Sequence, residues 1–140
     1  MLVALAAAFG FRLFVSNPAP EIFVRVGDVR LEGRRISACW PQRSGQVECS
    51  DAESSDDVRY PAIVSSGTLR ILVAYPVQPN DGSIRITDRD AGTTVLERDW
   101  TRSLRYDLDP GRYVLRASAP YPQGSRVIYD FFFTVRRSGS

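Results

Sequence analysis

The two cysteines are the first residues whose spacing could do chemistry. Cys39 and Cys49 stand ten residues apart in Ala-Cys-Trp-Pro-Gln-Arg-Ser-Gly-Gln-Val-Glu-Cys, with Ser44-Gly45 between them. Ser-Gly favours chain reversal, so the flanks can run antiparallel and bring the two Cβ atoms to bridging distance. Two thiols and no histidine leave too few ligands for a structural zinc site. A catalytic thiolate needs an activating base, and histidine is absent. The spacing therefore predicts a Cys39–Cys49 hairpin disulfide, which belongs in an oxidising compartment. Closing so short a loop contributes about 2–3 kcal/mol.

The carboxylates give weaker signals. Asp51, Glu53, Asp56 and Asp57 crowd one stretch, but without the spacing or central glycine of a twelve-residue calcium loop, so a solvated loop is expected. Asp88, Asp90, Asp107 and Asp109 fall at turns or outward positions, where hydration gives no reason for the raised acid that glycoside hydrolysis requires. There is no Gly-rich phosphate loop and no Gly-x-Ser-x-Gly elbow. The expectation is a protein with no catalytic residues, no metal and no cofactor.

Two further sets of residues suit binding. All 18 basic residues are arginine, and Arg70, Arg85, Arg105, Arg112 and Arg116 alternate with apolar residues, which points them outward. Guanidinium forks hold carboxylate, sulfate or phosphate groups. Such a face suits an acidic glycan, a teichoic-type polymer or a lipid headgroup; with net charge only +2, a solvated sheet face is the blander expectation. Aromatic-proline pairs recur at Trp40-Pro41, Tyr60-Pro61, Tyr75-Pro76 and Tyr121-Pro122. Proline ends strand pairing, so each ring belongs at a strand end or in a loop. If successive strands reverse, and 47–49 and 94–99 are both strands, Trp40, Tyr75 and Tyr121 share one pole. These rings form either a sugar- or peptide-binding face or a lid on the core.

The elements that must position these groups are short alternating runs separated by turn signals, the pattern of an all-β sandwich. Strands are expected at 22–26, 34–40 (with Ile36, Ala38 and Trp40 on one face), 47–49, 68–74, 84–87, 94–99, 104–108, 112–119 and 127–135. Residues 50 to 66 read as a surface loop, with room for one helical turn. The last strand is apolar on most of both faces and so belongs in the middle of its sheet. No helical period of ten residues appears beyond residue 20.

Leu108-Asp109-Pro110-Gly111-Arg112-Tyr113 is the most specific local motif. It resembles the tyrosine corner of immunoglobulin-like and fibronectin-like Greek-key sandwiches, in which the phenol bonds back to the chain upstream. The resemblance covers about residues 20–137 and implies an immunoglobulin-like antiparallel sandwich of about 7–9 strands, with Tyr113 as the corner. It departs at Leu115, where the inter-sheet disulfide of antibody domains would place a cysteine. The chain also resembles small exported bacterial proteins with a Cys-Trp…Cys hairpin and a Gly-x-Tyr…Tyr-x-Phe ending, here Cys39-Trp40, Cys49, Gly111-Arg112-Tyr113 and Tyr129-Asp130-Phe131. That similarity implies a compartment and a fold and carries no activity.

The 140 residues suit one domain, 44% hydrophobic and 24% charged, too apolar for disorder. Residues 1 to 15 are apolar except for Arg12 and are followed by Ser16-Asn17-Pro18-Ala19-Pro20. Their length fits a signal core or membrane anchor better than a full span of about 20 residues. The near-neutral charge argues against a nucleic-acid partner. The expected division is residues 1–19 as signal peptide or anchor, 20–137 as the sandwich and 138–140 as a tail. The expected role is non-catalytic: an exported or membrane-tethered domain that binds a protein or glycan partner at the cell surface or in the periplasm. A carbohydrate-binding module and a filament or layer subunit, assembled through its apolar amino-terminal segment, are the alternatives.

Overall fold

A computed structural model describes residues 19–51, 58–65, 67–75, 79 and 81–138. The apolar segment 1–15, with the export or anchoring role expected of it, lies outside the described residues. Among those described, no helix is long and apolar enough to cross a membrane. The chain forms β1 (Phe23–Val26), β2 (Val29–Leu31), β3 (Gly33–Pro41), β4 (Val47–Asp51), β5 (Ala62–Ser65) and β6 (Thr68–Ala74). It continues with β7 (Ser83–Asp88), β8 (Thr93–Asp99), β9 (Ser103–Asp107), β10 (Gly111–Pro120) and β11 (Arg126–Arg137). Among the described residues the helical content is a single 3₁₀ turn, Pro122–Gly124.

Two sheets form a sandwich. The smaller runs β2-β1-β6-β9, and the larger runs β4-β3-β11-β10-β7-β8 with β5 added beside β11. Period-two burial drives the packing. Val24 and Val26, Leu69, Ile71 and Val73, and Leu104 line the inside of the small sheet. They meet Ile84, Ile86, Leu115, Ala117, Phe131 and Phe133 from the large one. As its two apolar faces require, β11 is central, paired antiparallel with β10 over its length. Connections pass between the sheets after β2, β5, β6, β8 and β9, the Greek-key habit of immunoglobulin-like sandwiches.

The corner forms where β9 of one sheet hands over to β10 of the other. Tyr113 Oη donates to the Asp109 carbonyl at 2.6 Å, and the buried ring stacks on Phe133 with centroids 5.7 Å apart. Burial first, then the nearby Asp88 and Asp109 charges, raise the Tyr113 phenol above its usual pKa.

Three expectations change. Eleven strands form among the described residues rather than seven to nine, because β2 and β5 are real strands of three and four residues. The stretch expected to be a loop at 50–66 ends in β5, which pairs parallel with β11 from Thr134↔Ala62 to Arg137↔Ser65; the sheet is thus not wholly antiparallel. The acidic residues 53, 56 and 57 lie outside the described residues. In β3 the alternation breaks: Arg35 pairs with Tyr129 and Ser37 with Ile128, so Ile36 is the extra residue of a bulge. Ser37, Ala38 and Cys39 are then buried in succession.

Candidate functional site

Along one side of β11, residues 126–131 pair with β3 and residues 134–137 with β5. Phe132 sits at the handover between the two partners. There an open groove of about 600 Å³ is lined by Arg30, Arg34, Arg59, Glu32, Tyr60 and Phe132, among others. Local sequence explains it. β2 and β3 are nearly one strand that leaves the small sheet for the large one at Glu32, so period two puts Arg30, Glu32 and Arg34 along one side. Gly33 allows the crossing: a Cβ there would lie 2.5 Å from Phe131 Cε1 and 3.1 Å from Tyr129 Cδ1. Pro61 ends the entering segment, and its carbonyl accepts from Thr134 N–H at 2.9 Å.

The rings meet each other and two further arginines. Tyr60 and Phe132 meet edge to face, centroids 5.5 Å apart. Arg112 lies over the Tyr60 ring at 5.4 Å and Arg89 over Phe132 at 5.8 Å. Arg112 is itself anchored to Asp90, whose carboxyl is held below the usual range, chiefly by that hydrogen bond. The groove therefore offers ring surface beside three guanidinium groups and one carboxylate, a setting for a ligand that combines an apolar face with anionic groups.

Trp40, Tyr75 and Tyr121 do meet at one pole, although the expected reversal of every successive strand fails, because β4 and β5 run in the same direction. Trp40 and Tyr121 meet edge to face at 5.5 Å. Tyr75 Oη donates to the Ser118 carbonyl at 3.4 Å, and its phenol is raised well above the ordinary range, by burial first and by Tyr121 second. Trp100, which carries no proline signal, completes the group. Its ring lies 4.8 Å from that of Tyr75, and its indole N–H donates to the Val73 carbonyl at 3.0 Å. Tyr121 is buried, and Trp40, Tyr75 and Trp100 are half-buried against the core. These rings spend much of their surface on one another.

The cysteines are bridged. They face each other across β3 and β4, with Cα atoms 3.9 Å apart, and tie the exposed edge strand β4 to its neighbour. The bridge is consistent with oxidising surroundings.

The arginines expected to point outward do so, but on two different faces. Arg112 and Arg116 lie on the outer face of the large sheet, and both are paired. Arg116 Nε and Nη2 grip Asp130 at 2.8 and 3.0 Å in a bidentate fork. Asp130 is only 6% exposed. Arg85, opposite Arg116 on β7, lies on this face too. Arg70 and Arg105 lie on the small sheet.

The turn acids serve structure. Asp88 Oδ1 accepts from the Asp90 and Ala91 amides at 2.9 and 3.1 Å, and Asp109 meets Arg137 at 3.5 Å. No group of three or more His, Cys, Asp or Glu among the described residues could hold a metal ion.

No protein-family model, curated protein or solved structure matches the chain.

Proposed function

We propose that the chain is a non-catalytic binding domain of the cell envelope, exported by or tethered through residues 1–15, and that its ligand seats in the Tyr60–Phe132 groove. The observation that carries this reading is the groove itself: two rings in edge-to-face contact and three arginines around a space of about 600 Å³, within the range of small-ligand sites. The Trp40/Tyr75/Tyr121 pole serves as a lid on the core, because its rings pack on each other. The ligand chemistry favoured is a saccharide bearing carboxylate or sulfate, whose ring can lie on Phe132 or Tyr60 while arginine takes the acid. Export rests on the disulfide and the apolar leader together.

Titration of the full chain with short uronic-acid oligosaccharides, followed by NMR, tests the reading. Binding with shifts at residues 30–34, 58–61 and 132, lost in Arg59→Ala and Phe132→Ala variants of unchanged melting temperature, is expected. No binding, or binding indifferent to both substitutions, would overturn it.

A further inference from the structure

The outer face of the small sheet carries an arrangement that stability alone does not favour. Register places Arg25 of β1 directly opposite Arg30 of β2, and Arg70 of β6 directly opposite Arg105 of β9. With strand order β2-β1-β6-β9, the four form a stepped row, Arg30, Arg25, Arg70, Arg105, spanning three strand spacings, about 14 Å. Like charges set opposite each other repel. Arg25, Arg70 and Arg105 are exposed, and Arg30 lies over the Phe23 ring at 4.8 Å.

No salt bridge among the described residues engages any of the four; Arg70 Nε reaches only Ser103 Oγ, at 3.4 Å. The strands of this face bring one outward carboxylate, Asp107, against the four arginines. A chain of net charge +2 thus concentrates its excess here. The row does not stop at the sheet edge, because Arg30 also lines the groove, beside Arg34 and Arg59.

We infer that this row is the outer part of the binding site, a track along which a linear acidic polysaccharide lies, with one end in the Tyr60–Phe132 groove. The inference rests on the binding-domain reading and names the ligand as a polymer rather than a single sugar unit. Charge complementarity selects a polyanion, and a row that leads from the outer face through Arg30 into a groove suits a flexible chain better than a membrane plane. The rings at its end select a sugar polymer, and a nucleic acid is disfavoured in the oxidising surroundings the disulfide indicates.

Heparin, a sulfated uronic polysaccharide, is the probe. Full-length protein is expected to bind immobilised heparin with an affinity that falls as salt rises. Arg25→Ser/Arg105→Ser should weaken binding about tenfold and reduce the slope of log affinity against log salt by about 1–2. Arg43→Ser/Arg98→Ser, which removes the same charge elsewhere, should leave both unchanged. Equal loss in the two double variants, or no heparin binding, overturns the inference. Loss only in Arg59→Ala also overturns the track, while leaving the groove reading intact. If phosphatidylglycerol vesicles or duplex DNA show the same dependence on Arg25 and Arg105 as heparin does, the polysaccharide assignment fails.

Discussion

The two outer faces of the sandwich use the same residue in different ways. On the large sheet arginine faces arginine at Arg116↔Arg85, but there carboxylates stand among them: Arg116 is bridged to Asp130, Arg112 to Asp90, and Arg85 lies opposite Glu97 on its other side. On the small sheet arginine faces arginine, at Arg25↔Arg30 and Arg70↔Arg105. The first face meets much of its charge within the molecule, and its Arg112 lies over the Tyr60 ring of the groove. The second leaves its charges to solvent or to something that arrives from outside. Genome-wide preference for arginine over lysine would enrich both faces alike, and it does not explain why the salt bridges among the described residues engage none of the small-sheet arginines.

The contrast predicts opposite signs on mutation. Asp130→Ala should have the largest effect, because it strands the half-buried Arg116 beside Arg85. A loss of about 1–3 kcal/mol in urea unfolding is expected, below the cost of a fully buried pair because the guanidinium remains partly hydrated. Tyr113→Phe sits between the faces, where β9 crosses to β10. Losing its bond to the Asp109 carbonyl should cost about 1–1.5 kcal/mol, read by the same unfolding curve. Arg70→Thr or Arg105→Thr should instead stabilise the protein, by about 0.2–1 kcal/mol, by relieving an opposed like-charge pair. A loss of similar size would mean that the small-sheet arginines are structural after all.

Alkaline pH tests the interior that both faces share. Tyr75, Tyr113, Tyr121 and Tyr129 all have raised phenol pKa values, each with burial as the first cause. An unfolded tyrosine releases its proton near pH 10.0, whereas these hold theirs, so the folded state binds more protons above that pH. Their contribution is complete below pH 10 and is lost as pH climbs past it. The melting temperature should therefore hold up to pH 10 and fall beyond it, with a smaller fall in Tyr75→Phe.

Much of the frame was legible because burial with period two leaves a local signature. The Cys39–Cys49 hairpin and the central position of β11 follow from spacing and alternation along the chain, and the corner at Tyr113 from the resemblance of its motif to Greek-key corners. Trp40, Tyr75 and Tyr121 share a pole, but not because every strand reverses. β2 and β5 left no such signature, since runs of three and four residues carry too little alternation, and β5 gains its ladder from a parallel partner about 70 residues away. The bulge at Ile36 depends on the partner strand and leaves no mark on its own sequence. The groove is assembled from three distant segments, of which only Tyr60-Pro61 gave a local sign. Arg70 and Arg105 could be read as outward individually, but that they face each other is a matter of register between strands, which one sequence does not state.

Thermal unfolding with and without heparin tests the central claim most directly, because it reads the two consequences of the small-sheet row in one experiment. The wild type should melt at a higher temperature when heparin is added, since a ligand of the folded state stabilises it. Arg70→Thr/Arg105→Thr should begin above the wild type without heparin and gain much less from it. Equal gains in both proteins, or a variant that melts below the wild type in plain buffer, would contradict the account.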